Sequence, residues 1–229
     1  MTLRQRIARV LDVLEAAWHN EANEPNLGHE EPLDGLILTV LSQNTNDRNR
    51  DAAWLRLKER FPSWEDVVRR GVAGLEDAIR PAGLSPTKAR RILNILGTVK
   101  RDFGEYSIAK LKERGAEGAR QYLAALPGVG AKTVACVLLF DMKMKAFPVD
   151  THVSRVCRRV GIVPEKTAPE EISILLEREV PSGRCLGGHV NMIEHGRAVC
   201  RSRTPLCGEC VLASAALCAS VHDNPSRAR

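Results

Sequence analysis

The chain is poor in aromatic side chains. Phe, Trp and Tyr make up 4% of its 229 residues, too few for the extended stacking platforms that hold single-stranded nucleic acid. Long apolar runs are also missing. Stretches such as Val134–Phe140 are far too short to cross a bilayer. The opening segment, MTLRQRIARVL, begins an amphipathic pattern without an apolar signal core or a small-residue cleavage site, so neither a signal peptide nor a membrane anchor is expected. No segment alternates apolar and polar residues as a β-hairpin would, and no heptad is sustained, which excludes a coiled coil. Low complexity is confined to the tail NPSRAR (224–229), which reads as disordered.

What is present is a balance of 44% hydrophobic and 27% charged residues, the profile of a soluble globular protein. The length allows one large domain or two small ones. A net charge of +6 and a pI near 9.1 favour a polyanionic partner, either nucleic acid or anionic lipid. Seven cysteines are an odd number. Four of them, Cys200, Cys207, Cys210 and Cys218, crowd near the C-terminus. Without a secretion signal, that cluster suggests a metal or iron–sulfur site in a reducing, cytoplasmic compartment. Four thiolates could hold zinc or an iron–sulfur cluster, and spacing alone does not choose. Cys136, Cys157 and Cys185 read as small structural residues.

Nearly every segment carries helical periodicity. Leu3, Ile7, Val10, Leu11, Leu14 and Trp18 recur at three and four residues, giving one apolar face. The polar stretch NEANEPNLGHEEP reads as a linker. Amphipathic or apolar helices are expected over Leu33–Leu41, 48–61, Trp64–Ile79, Lys88–Val99, Gln121–Leu126, Lys132–Phe140, Glu170–Val180 and Gly188–Cys200. The fold class is therefore all-α, with many short helices.

The most informative stretch is LPGVGAKT, Leu126–Thr133. It is not a nucleotide-triphosphate loop. That motif needs G-x-x-x-x-G-K-[ST] after a strand, whereas Ala131 separates Gly130 from Lys132, position 125 is alanine, and a helical segment precedes. Pro127 stops a helix, and Gly128 and Gly130 permit positive φ and a close backbone approach. The N–H groups that open the next helix suit a phosphate. Helix, glycine hairpin and helix on a basic chain make a clasp for a nucleic-acid backbone; the plainer alternative is a tight corner between two helices. Asp150, in FPVDTHV, follows Lys132 by 18 residues. A turn there could bring it back to face Lys132, which makes the lysine a candidate nucleophile.

LPGVGAKT, PVDTH, HGRAVC (His195–Cys200) and Cys200-x6-Cys207-x2-Cys210-x7-Cys218 occur in that order. Together they resemble the helix-hairpin-helix glycosylase superfamily, and within it the endonuclease III family. The resemblance runs from about Leu33 to Cys218. It implies two all-helical domains: a six-helix, barrel-like domain with the hairpin over 26–143, and a discontinuous iron–sulfur domain from 1–25 and 144–229. It implies a [4Fe–4S] cluster on the four clustered cysteines, with Lys132 and Asp150 catalytic and facing across a cleft between the domains. Members with the lysine resemble bifunctional enzymes that remove an oxidised pyrimidine and then cut the strand. The partner would be double-stranded DNA holding a damaged or abasic nucleotide, bound by a monomer in the cytoplasm or on the nucleoid, with no membrane partner. LSQNTND would place Gln43 or Asn44 in the gap left by the extruded nucleotide. AGLSPTKARR would supply Leu84 as an apolar wedge, and Gly128, Val129 and Gly130 would grip the backbone.

Between the first two clustered cysteines, Arg201 and Arg203 read as phosphate contacts or as charges that only keep the loop hydrated. Asp150 would stabilise positive charge developing on the sugar. Arg155, Arg158 and Arg159 read as a solvated basic face, and His152 and His195 as packing or helix-start residues. The chain departs from the family in three places. The last cysteine spacing is longer, so the loop before Cys218 should bulge. Asn44 stands where many members carry the gap-filling glutamine. SIAKLKERGAEGARQ, before the hairpin, is longer than in compact members. The rival of a different class is a non-catalytic helix-hairpin-helix DNA-binding module; a same-fold variant would prefer another lesion.

Overall fold

The computed structural model describes residues 1–20 and 25–222, with side chains through Ser220. Residues 21–24 of the linker and the tail 224–229 lie outside the described residues. Among the described residues there is no β-strand, and twelve α-helices follow in order: α1 (Leu3–Ala17), α2 (Pro32–Ser42), α3 (Asp47–Arg60), α4 (Trp64–Ala78), α5 (Ser85–Phe103), α6 (Gly115–Ala125), α7 (Ala131–Cys136), α8 (Thr151–Arg159), α9 (Pro169–Glu179), α10 (Cys185–Ala198), α11 (Val211–Ser214) and α12 (Ala219–His222). They divide into two compact units, Leu27–Lys143 and the discontinuous pair Met1–Asn26 with Met144–Arg229. No described helix is long and apolar enough to cross a membrane.

The unit Leu27–Lys143 is built around α2. Glu31 caps it by accepting from Leu33 N, and Pro32 opens its first turn, where its missing N–H costs nothing. Leu33, Leu36, Ile37, Val40 and Leu41 are fully buried, on nearly all sides, because α3, α5 and α7 all pack against this helix. Each such side chain contributes about 1.5–3 kcal/mol. Beside α2, Asp34 accepts from Trp64 Nε1 at 3.0 Å and from Lys58 Nζ at 2.8 Å. The Lys58 ammonium also lies over the rings of Trp54 and Trp64.

The sequence predicts one helix over Lys132–Phe140. The chain instead leaves α7 at Cys136 and widens into a π turn, Val137–Asp141, closed by Met142 N donating to Val137 O at 3.0 Å. Asp141 is thereby buried at 3% exposure, and its carboxylate meets His29 N at 3.0 Å and His29 Nδ1 at 2.9 Å. Gly35 leaves the space for it: a Cβ there would overlap the carboxylate. The long stretch before the hairpin is absorbed by a 3-10 turn, Ala109–Arg114, and an early start of α6.

In the discontinuous unit, α1 buries Ile7, Val10, Leu11 and Leu14, the stripe expected from its spacing, and packs on α10 and α11. Arg6 donates to Val160 O (2.7 Å) and Leu217 O (3.0 Å). Arg184 forks onto Glu15 and Asp12. Cys136, in the first unit, and Cys157 and Cys185, in the second, are buried.

Gly35→Ala should cost about 1–3 kcal/mol by overpacking against Asp141. A urea midpoint unchanged from wild type would show that the carboxylate moves aside freely.

Candidate nucleic-acid interface and cysteine pocket

The hairpin follows α6. Leu126 accepts from Val129 N at 3.2 Å, and Gly128 turns the chain with φ of +73°, a region that favours glycine. A second reason keeps a side chain off Gly128: its Cβ would overlap the Arg91 guanidinium of α5. Gly130 is extended and starts α7, with no side chain capping the helix, so its first N–H groups are presented for an outside acceptor. Lys132 is exposed on the first turn of α7, while Thr133, Val134, Ala135 and Cys136 beyond it are buried. Val129 is 7% exposed; its side chain packs inward, and only its backbone is suited to the contact expected of it.

In the segment after α2, Gln43 and Asn44 differ in their packing. Gln43 caps α2. Its Nε2 lies 3.4 Å from both Gly128 O and Thr133 Oγ1, and its Oε1 accepts from Arg91. Asn44 is exposed and left-handed, with φ of +54°, a conformation asparagine tolerates better than most residues. Gln43 therefore braces the hairpin, and Asn44 carries the outward side chain. Leu84 is likewise left-handed, φ +49°, and 58% exposed. A large apolar side chain is thus held outward on strained backbone.

In the discontinuous unit, Asp150 is the N-cap of α8. Its Oδ1 accepts from His152 N at 2.9 Å and Val153 N at 2.8 Å. His152 Nδ1 pairs with Arg155 at 3.0 Å, the helix-start role expected of it. The arginines of α8 are not the solvated face the sequence predicts. Arg155 donates to Cys200 O and Gly196 O, both at 2.8 Å. Arg159 donates to Arg201 O at 2.7 Å and Ser202 O at 2.9 Å, and Arg158 to Thr167 O at 2.7 Å. The i, i+4 spacing of Arg155 and Arg159 was the available signal; it places both on one face, turned to the cysteine loop. Arg201 and Arg203, on that loop, are exposed.

Cys200, Cys207, Cys210 and Cys218 are not joined in disulfides. They line one small pocket of about 20 Å³, open to solvent, together with Val199, Pro205, Leu206 and Arg159. Among the described residues no three His, Cys, Asp or Glu side chains form a group that could hold a metal ion. The bulge expected before Cys218 is α11 followed by left-handed Ala216. His195, 1% exposed, approaches Cys210 Sγ through Nε2 at 3.5 Å, and burial pulls its pKa down to about 4. It is a neutral packing residue against the pocket.

Residues 37–182 match the family model of the HhH-GPD superfamily base excision DNA repair proteins. The chain is 36% identical over 184 residues to endonuclease III of Thermotoga maritima, covering 80% of this chain and 81% of that protein. It is 35% identical over 184 residues to a candidate DNA glycosylase of Arabidopsis thaliana, covering 80% of this chain but only 61% of the plant protein. A non-covalent endonuclease III–DNA complex matches with a TM-score of 0.82 and 29% identity, over 99% of this chain and 100% of that one. A trapped covalent intermediate of endonuclease III with DNA matches with a TM-score of 0.82 and 29% identity, over 98% and 100%.

Asp150→Ala should remove the α8 cap at a cost of about 1 kcal/mol, and Asp150→Asn should retain most of it. Equal thermal midpoints for the two variants would show that the carboxyl-to-backbone bonds contribute nothing to the fold.

Proposed function

Since the chain belongs to the HhH-GPD superfamily of base excision DNA repair proteins, and is an endonuclease III-like DNA glycosylase, we propose that it is a bifunctional glycosylase and AP lyase acting on oxidised pyrimidines. The observation that carries the proposal is exposed Lys132 on the first turn after the glycine hairpin, in a chain similar along nearly its whole length to a protein trapped covalently on DNA.

The chemistry follows from the side chains. A base inside a duplex must leave the stack before it can react. Asn44 and Leu84 offset that cost by entering the gap and the stack, while the backbone of Gly128, Val129 and Gly130 and the Arg201 and Arg203 side chains hold phosphates. Lys132 Nζ, as the neutral amine, forms a bond to C1′ while the bond from C1′ to the base breaks; the base departs with the electron pair and takes up a proton. Opening of the sugar ring leaves a Schiff base between Nζ and C1′. Loss of a 2′ proton then expels the 3′ phosphate by β-elimination, and water hydrolyses the imine to free the lysine. The Asp150 carboxyl stabilises the positive charge that develops on the sugar as the base leaves.

The donor set also fits a [4Fe–4S] cluster. Four cysteines line one pocket, and four thiolates are a donor set that would suit such a cluster. Cys200, Cys207, Cys210 and Cys218 would hold it, and the cluster would fix the loop that carries Arg201 and Arg203.

Borohydride added to the protein with duplex DNA holding one abasic site should trap a covalent adduct, absent in Lys132→Ala. No adduct despite duplex binding would leave a monofunctional glycosylase or a binding module. Asp150→Asn should slow base release by about a hundredfold; release at the wild-type rate would remove the carboxylate from the chemistry. Elemental analysis should find four irons with labile sulfide per chain, and one zinc in their place would overturn the cluster assignment.

A further inference from the structure

Lys88 is an unusual lysine. It is 2% exposed, and few lysines are buried without a partner of opposite charge. Here the partners are carbonyls: Nζ donates to Leu41 O at 2.7 Å and to Ala82 O at 2.8 Å. Leu41 lies in the last turn of α2, whose terminal carbonyls have no acceptor role inside the helix. Ala82 ends the 3-10 turn Arg80–Ala82. Three residues beyond Leu41 stands Asn44, and two beyond Ala82 stands Leu84, both left-handed. One buried ammonium thus ties together the roots of both outward-pointing tips. Burial and the neighbouring Arg91 charge both pull the Lys88 pKa down.

Arg91 is one helical turn further along α5, on the same face. It donates to Gln43 Oε1, and its guanidinium occupies the place a Gly128 side chain would take. Gln43 in turn reaches Gly128 O and Thr133 Oγ1. From a single face of α5, two cations therefore hold the segment after α2, the turn before Leu84 and the hairpin.

The geometry points to Lys88 and Arg91 as positioning residues that hold these three segments in register before DNA arrives, so that Asn44 and Leu84 enter the duplex while the hairpin grips the backbone. This rests on the reading of Asn44, Leu84 and the hairpin as DNA contacts. Neither cation touches the reacting atoms. Their effect belongs to the step in which the base leaves the stack, where a preformed arrangement avoids an ordering cost.

The test compares one oxidised pyrimidine in a full duplex with the same base in a single-nucleotide bulge, where extrusion is largely prepaid. Lys88→Met keeps the length and removes the donors; Arg91→Met does the same at a half-buried position. Single-turnover base release from the duplex should fall by roughly ten- to a hundredfold in each variant, and release from the bulge should stay within about threefold of wild type. Equal losses on both substrates, or none on either, would overturn the positioning role. Unfolding of Lys88→Met together with an unchanged duplex-to-bulge ratio in Arg91→Met would also overturn it, and would make Lys88 a core element only. Wild-type protein that releases no base from either substrate would defeat the glycosylase reading itself, an outcome distinct from all of these.

Discussion

A carbonyl at the end of a helix must find a donor, and in this protein cations from neighbouring helices supply it. The unit Leu27–Lys143 relies on Lys88, whose ammonium serves Leu41 O and Ala82 O. The discontinuous unit relies on Arg155 and Arg159, whose guanidiniums serve Gly196 O, Cys200 O, Arg201 O and Ser202 O. In both places the bonded carbonyls lie near helix ends or in the irregular backbone beyond them, next to residues proposed to touch DNA. Irregular backbone cannot satisfy its own polar groups, and charged donors make the stronger bonds. A loop held this way keeps one conformation while leaving its tip exposed. The net positive charge of the chain is thus partly internal wiring, and only the remainder is free to face a polyanion.

The strained residues follow the same logic. Asn44 and Leu84 sit at positive φ without being glycine, each at a cost of order 1–3 kcal/mol. Such conformations persist only where the surroundings fix them. Helix α5 provides that surrounding at one end, and buried Leu36, Ile37, Val40 and Leu41 of α2 at the other. Gly128 differs. Its left-handed turn is free of strain because it lacks a side chain, and the vacated space is used by Arg91. One position is left-handed by permission and two by compulsion, and the compelled ones present side chains to solvent.

Much of this was legible in the sequence. Apolar spacing marks α1 and α2 because period and burial coincide there. LPGVGAKT marks the hairpin because Pro127, Gly128 and Gly130 are each required by local backbone geometry. The crowding of the four cysteines marks their pocket. What was not legible depends on long-range pairing. Lys88 inside AGLSPTKARR looks like any surface lysine, since nothing local says that two carbonyls forty-seven and six residues away will enclose it. Arg155 and Arg159 read as a hydrated face because their acceptors are backbone atoms, which leave no trace in composition. The π turn at Val137–Asp141 escaped for a similar reason: it follows from the demand of buried Asp141 for His29 and the room left by Gly35, not from helix propensity.

The segment LSQNTND shows how a resemblance and a structure divide the work. Alignment of motifs alone leaves Gln43 and Asn44 as rivals for one role. The packing separates them. Gln43 has spent its amide on Arg91, Gly128 and Thr133, so withdrawing it into a DNA gap would break the contacts that brace the hairpin. Asn44 breaks none by reaching outward. Its side chain is one methylene shorter than glutamine, with the same donor and acceptor. To meet the orphaned base it must start nearer the duplex, and the left-handed turn that lifts it outward compensates in that direction. On the proposed reading of Asn44 as the gap-filling residue, opposite-base preference depends on how far that turn, rooted on Lys88, carries a short amide.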